Sequence, residues 1–426
     1  MKHTAIKNIA LVLAGTLLTL GLMAFVTSRL SNNRSGYGTL AGQVELPIPD
    51  SAAVTPRDSL TIRVDSLIQA SIAEHAFPGA SVAIGTSGGT ALLKGYGHFT
   101  YDSNHADTPK SQFDLASLTK VVATTTAVMK LYEAGKLDLD APVIQYLPAF
   151  SRDDRDKITV RQLLTHSAGL IPFRPYYTMG ITTREEEIKA ILAEPLAYPP
   201  GTKSVYSDHS MILMGLIIER ITGQPLAKWE TEHIFKPLGM NHTGYRPVGH
   251  TDTTVVPTEI DDYFRHRLVQ GEVHDETAYV LGGVSGNAGL FSTAEDLSRF
   301  ARMMLNHGRF NGTQFLKPET VKLFTTRVTE LGPDVTRALG WDTPSREGYS
   351  SAGHLFGPHS FGHTGFTGTS IWIDPDAKLF VVLLTNRVYP TRENSKLGPV
   401  RAKLADLAYE AMVPAGAART AAATVR

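Results

Sequence analysis

The two ends of the chain read as strands and the stretch between them as helices, and this distribution restricts the fold more than any other feature. Ala80 to Gly85 and Ala91 to Gly97 are mostly apolar runs separated by Ser87-Gly88-Gly89, the pattern of a hairpin. Near the other end, Ser360 to Ile373 and Leu379 to Asn386 alternate or run apolar around Asp374-Pro375-Asp376-Ala377, a turn sequence that predicts a second hairpin. From about Ile158 to Leu331 helical spacing dominates, in Val160 to Thr165, Arg184 to Ala193, Ser210 to Ile221 and Ala294 to Leu305, with Gly/Pro-rich loops between. Further helices are predicted over Leu60 to His75 and roughly Gly398 to Met412. The arrangement implies an α/β (α+β) protein: one antiparallel sheet assembled from both chain ends, packed by helices, with a helical subdomain inserted and a cleft between the layers.

The 426 residues, 42% of them hydrophobic, suffice for one large domain or two closely packed ones. Forty-one basic residues balance 41 acidic ones without a basic tract, which argues against a nucleic-acid partner and for a small molecule. No cysteine is present, so disulfides, thiolate catalysis, Cys-ligated metal and attachment of lipid through cysteine are excluded. Ile9 to Val26 is an uncharged, largely apolar run behind Lys2 and Lys7, the layout of an export signal or, if uncut, of a membrane anchor. The expected organisation is therefore a signal or anchor over 1–29, a linker over 30–56, one folded body over 57–413 and a mobile tail over 414–426, with the body exported to the periplasm or cell envelope.

Ser117 and Lys120 stand three apart at the start of a mostly apolar helix predicted from Ser117 to Ala134, so the amine can reach the hydroxyl, a nucleophile beside its base. The spacing alone is common, and Ser117 could instead cap the helix. About 90 residues on, Val205-Tyr206-Ser207-Asp208 precedes a helix that Ser207 or Asp208 could cap, which leaves Tyr206 free to act. Gly362-His363-Thr364-Gly365 opens a terminal strand, where an edge residue beside a glycine bulge is the plain alternative.

In this order the three segments resemble the class C β-lactamase and penicillin-binding serine hydrolase family. The resemblance runs from about Asp58 to Asn386 and includes the Leu164-Thr165-His166-Ser167-Ala168-Gly169-Leu170 loop and the glycine-rich Gly282 to Ser292. Gly271-Glu272-Val273-His274-Asp275-Glu276, together with Tyr206-Ser207-Asp208, is most similar to the penicillin-binding protein 4B type of D-alanyl-D-alanine carboxypeptidase. The resemblance implies a β-lactamase/transpeptidase-like fold in which Ser117 forms an acyl-enzyme and Lys120 and Tyr206 move protons. It also implies an oxyanion hole from the backbone N–H groups of Ser117 and Phe366, and substrate contacts from Asp208, His363, Thr364, Gly365 and Phe366. No metal or cofactor is required.

Two departures from the pattern bear on the chemistry. Asp208 stands where many relatives carry asparagine; its carboxylate would pair with Lys120 and hold it charged, which favours Tyr206 as base, while the same charge opposes a tyrosinate. His363 replaces a lysine and is mostly neutral at pH 7, which weakens attraction for a substrate carboxylate and widens the range toward esters and amides. His274, Asp275 and Glu276 read as a hydrogen-bonded loop lining the cleft rather than a metal site. His166 reads as a packing histidine near the site, and Phe173, Tyr176 and Tyr177 as a pocket wall or as surface aromatics. A peptidoglycan D-alanyl-D-alanine peptide is the first expected substrate, with an envelope esterase, a β-lactamase or a non-catalytic penicillin-binding sensor as the alternatives. An intact Ser117, Lys120 and Tyr206 argue against the sensor.

Overall fold

A computed structural model describes residues 58–152, 154–246, 253–332, 335–345 and 347–414. The expected export segment, the linker and all but the first residue of the expected tail lie outside the described residues. Among the described residues no helix is long and apolar enough to cross a membrane.

The central sheet joins the two chain ends. Strands β1 (Gly79–Thr86) and β2 (Gly89–Gly97) come from the start; β3 (Phe361–Thr364), β4 (Ser370–Asp374) and β5 (Leu379–Thr385) come from the end. Their order is β3-β4-β5-β1-β2, antiparallel throughout, with β1 and β5 in register from Ala80↔Thr385 to Thr86↔Leu379. Alternate residues face opposite ways, and both faces are covered. Ala80, Val82 and Ile84 of β1 with Leu379, Val381 and Leu383 of β5 pack under helices α1 (Asp58–Ala73) and α5 (Leu397–Met412), which contribute Leu60, Val64, Ile68, Val400 and Leu404. Ala83, Phe380, Val382 and Leu384 turn to the other face and the larger core, where α4 (Ala294–Leu305) contributes Leu297, Phe300 and Ala301. Burial on both sides explains why these strands read as continuous apolar runs.

The predicted C-terminal hairpin is a three-stranded unit, because Gly365 to Thr369 breaks the expected long strand. A Cβ on Gly365 would lie 2.1 Å from Thr369 Oγ1 and 2.4 Å from the Leu115 carbonyl oxygen, so only glycine permits this close turn. The following turn is held by Asp374, whose carboxylate accepts the Asp376 and Ala377 N–H groups at 2.9 Å. In the inserted region the predicted helices are present with ends shifted by a residue or two. A small three-stranded sheet, Phe113–Asp114, Leu290–Ser292 and Gly244–Tyr245, fastens the segment before Ser117 to this region.

Candidate active site

The expected helix from Ser117 to Ala134 is three pieces: a 3₁₀ turn over Ala116–Leu118, a π-helix over Lys120–Thr125, and α2 (Thr126–Glu133). One hydroxyl takes a carbonyl of the wide segment and another ties the segment to a distant loop. Thr126 Oγ1 donates to the Val121 carbonyl at 3.0 Å and Thr124 Oγ1 to the Gly286 carbonyl at 2.8 Å. Ser117 caps nothing.

Lys120 is buried beneath Ser117, and each of its three N–H donors has an acceptor. Nζ donates to Ser117 Oγ at 2.8 Å and to the Asn287 carbonyl at 2.9 Å, and it forms an ion pair with Asp208 Oδ1 at 2.7 Å. Tyr206 Oη donates to Ser117 Oγ at 2.8 Å. Ser207 Oγ donates to the Ile171 carbonyl, so it orders the loop ahead of α3 (Asp208–Thr222) instead of capping that helix.

The charges follow from these contacts. Burial alone pushes the Lys120 amine down, but Asp208 and Tyr206 outweigh it and hold the ammonium above the usual lysine range. Burial raises the Tyr206 phenol; Lys120 opposes this and Asp208 reinforces it, and the net shift is upward. The resting site is therefore a lysine ammonium and a neutral phenol, both donating to a serine hydroxyl. Asp208 pairs with Lys120 and holds it charged, and burial together with the same Asp208 charge opposes a tyrosinate at Tyr206.

His363 is buried on β3 with its ring 5.8 Å from that of Tyr206. Nδ1 donates to the Thr364 carbonyl at 2.8 Å, leaving Nε2 without a partner and 4.0 Å from Asp342 Oδ1. Burial lowers its pKa, helped by Arg337 and opposed by Asp342, so the imidazole is neutral at pH 7. His166 packs its ring 4.8 Å from Tyr206 on the other side and accepts the Ser207 N–H through Nδ1 at 3.2 Å; burial lowers its pKa as well.

Ser117, Tyr206, Asp208, His363, Thr364, Gly365 and Phe366 line one open cavity of about 520 Å³. Lys120 lies under its floor. Phe173 joins the wall, whereas Tyr176 is buried against Glu194 and Tyr177 packs on Phe264. His274, Asp275 and Glu276 line the same cavity as a hydrogen-bonded loop: His274 Nε2 meets Glu259 Oε2 at 2.8 Å, and Arg392 bridges Glu259 and Glu276 at 2.7 Å. Burial, with Asp208 and Glu276 nearby, pushes Asp275 up to about 7. Among the described residues no cluster of His, Asp and Glu is arranged to hold a metal ion.

Sequence reasoning missed the cavity's arginines. Arg401, on α5, donates through Nη2 to the Gly365 and Thr369 carbonyls at 2.8 Å, and its Nε is buried without an acceptor. Arg387 donates to the carbonyls of Phe366, Arg392 and Asn394. Neither forms an ion pair with a carboxylate among the described residues, and burial lowers both, Arg401 to about 10. The signal for Arg401 was a cation on the apolar stripe Leu397, Val400, Leu404, Ala408; Arg387 left none.

The chain is similar to known proteins over most of its length. A family model described as Beta-lactamase matches residues 64–406. An N-acetylmuramyl-L-alanine amidase of Bacillus subtilis (strain 168) is 36% identical over 364 residues, 76% of this chain and 80% of its own. A protein of Escherichia coli (strain K12), provisionally described as a D-alanyl-D-alanine carboxypeptidase, is 37% identical over 302 residues, 65% of this chain and 69% of its own. Among solved structures, EstCE1, a hydrolase with promiscuous acyltransferase activity, superposes with a TM-score of 0.67 at 25% identity, covering 82% of this chain and 98% of its own.

Proposed function

This chain belongs to the Beta-lactamase family and is a serine hydrolase of it, and on that premise we propose that it is a D-alanyl-D-alanine carboxypeptidase-type peptidase of the cell envelope. The observation that carries the peptidase reading is the pair Arg387 and Arg401 beside the Gly365–Thr369 turn. Two half-buried guanidinium ions without a carboxylate to pair with among the described residues form a receptor for one. The free carboxylate of a terminal D-alanine supplies it, in the cleft where His363 is neutral and gives no charge. Residues 9–26, an apolar run behind two lysines, support the envelope assignment.

The same contacts suggest how the proton moves. Neither Lys120 nor Tyr206 is a base in the resting site. When substrate covers the cleft and displaces water, the Lys120–Asp208 ion pair loses solvation and its neutral form gains relative to it. Lys120 then passes one proton to Asp208, and the free amine takes the proton of Ser117 Oγ as that oxygen attacks the carbonyl carbon. Tyr206 gives its proton to the leaving amine and is refilled from Lys120. The Ser117 and Phe366 N–H groups, which have no acceptor within the protein among the described hydrogen bonds, are the donors for the developing oxyanion. Water resolves the ester by the reverse path.

The test compares an Nα-acylated peptide ending in D-Ala-D-Ala with the same peptide ending in D-alaninamide, using wild type and Ser117→Ala. Release of D-alanine from the first alone, lost in Ser117→Ala, is the expected result. Equal turnover of both peptides, or turnover of a p-nitrophenyl ester with neither peptide cleaved, would replace the peptidase by the esterase reading, which the exposed Phe173 and Phe366 at the cleft mouth favour next.

A further inference from the structure

The Asp114 side chain has no part in the chemistry above, yet it is fully buried and both its oxygens are used by backbone. Oδ1 accepts the Ala116 N–H at 2.8 Å and Oδ2 accepts the His274 N–H at 2.6 Å. The first contact spans two residues and closes a tight turn immediately before the nucleophile. Ala116 has φ +46°, a left-handed conformation that disfavours any residue with a Cβ. Such a residue stays where it is only if its surroundings fix it. The second contact ties the same carboxylate to the loop carrying Asp275 and Glu276 into the cleft.

The main chain at this point is equally committed. The Asp114 carbonyl accepts Thr367 Oγ1 at 2.7 Å, and the Leu115 carbonyl accepts Thr369 Oγ1 at 2.9 Å. Both threonines belong to the turn that carries Phe366. The Leu115 N–H donates to the Leu290 carbonyl at 2.9 Å. Three cleft-forming segments thus meet at Asp114-Leu115: the nucleophile turn, the Gly365–Thr369 turn and the His274–Glu276 loop.

We propose that Asp114 is a positioning residue for the oxyanion hole: by holding the Ala116 N–H it fixes the left-handed Ala116 and so aims the Ser117 N–H and Oγ relative to Phe366. The reasoning rests on Ser117 as nucleophile and not on the peptide substrate. Asparagine at this position keeps one acceptor oxygen but turns an NH₂ toward an N–H that needs an acceptor, and alanine removes both acceptors.

The test uses p-nitrophenyl acetate, whose turnover needs the nucleophile and the oxyanion hole but no recognition of a peptide carboxylate, so that a failed peptidase assignment leaves the reading intact. Per active site titrated with a fluorophosphonate, Asp114→Asn is expected to lower kcat about 10–100-fold with KM within about threefold. The inhibition constant of a phenylboronic acid, which mimics the tetrahedral adduct, should rise by the factor that kcat/KM falls. In an Ala116→Gly background the cost of Asp114→Asn and Asp114→Ala should shrink several-fold, since glycine adopts the left-handed conformation without help. A role confined to stability would lower the melting temperature and leave kcat per titrated site and boronate affinity unchanged. That result, or an equal loss in both backgrounds, overturns the proposal. If Asp114→Ala yields no folded protein, Asp114→Asn alone decides on the same criteria.

Discussion

Replacing Asp208 by asparagine separates the two ways in which the site can make its base. Lys120 Nζ and Asp208 Oδ1 are 2.7 Å apart, with the lysine side chain 1% and the aspartate 20% exposed. Two unit charges at that distance attract by about 6 kcal/mol at an effective dielectric constant of about 20. Solvent at Asp208 screens part of this, and an opposite charge in contact moves a pKa by about 1–3 units. Asp208→Asn removes the attraction and leaves burial, which pushes the amine down, opposed by the smaller effect of Tyr206. The lysine should then titrate within reach of assay, below its ordinary ~10.4. With no carboxylate to receive the proton, the variant must lose it to solvent before Ser117 can react. kcat/KM for a p-nitrophenyl ester at pH 7 should fall about 10- to 1,000-fold, one decade per pKa unit remaining above pH 7. It should climb about tenfold per pH unit toward the lysine pKa, whereas wild type stays flat from pH 7 to 9. If a tyrosinate is the base, the sign reverses, because losing the Asp208 charge eases ionisation of Tyr206 and raises the rate at neutral pH. A faster variant, or one with the wild-type pH profile, refutes the lysine–aspartate relay.

Arg401→Ala should raise KM for a D-Ala-D-Ala peptide about 10- to 100-fold, the cost of one charge-assisted contact, and leave KM for a neutral ester within about threefold; parallel losses on both substrates would deny the carboxylate role. Burial depresses both His166 and His363, so the unfolded chain binds their protons first and stability falls as pH drops below about 6.5, by up to about 1.4 kcal/mol per group per pH unit. Urea unfolding between pH 7 and 5 should show a shallower decline in His363→Gln than in wild type. Leu404→Ala, which empties a fully buried site between α5 and the sheet, should cost about 2–5 kcal/mol in the same assay without changing KM.

The elements most legible in sequence were those whose local pattern and tertiary fate agree. β1 and β5 read as apolar runs because both faces are covered, and Ala294 to Leu305 read as a helix because Thr293 caps it and one face enters the core. Local reasoning failed where long-range contacts set the backbone. Apolar spacing from Ser117 to Ala134 cannot distinguish α from π, since the hydroxyl contacts of Thr124 and Thr126 decide it and one of them reaches Gly286. The break at Gly365 likewise follows from the approach of Leu115, some 250 residues away. Ser117, Lys120, Tyr206, Asp208, His363, Thr364, Gly365 and Phe366 were identified through ordered motifs and are brought together at one cavity and its floor. Arg387 and Arg401 belong to no motif and enter the cavity only through tertiary folding.

The sheet that unites the two chain ends also fixes when the protein can fold. β1 completes its burial only when β5 and α5 join β2, α1 and α4 around it, and about 260 residues separate the end of β2 from the start of β3. On a ribosome the edge of β1 that pairs with β5 therefore waits until almost the whole chain has been made. Closing so long a loop is slow and gives little reward until the last strand arrives. A pairing between segments so far apart in sequence comes late in folding, and the chain carries no cysteine whose oxidation would have to precede it.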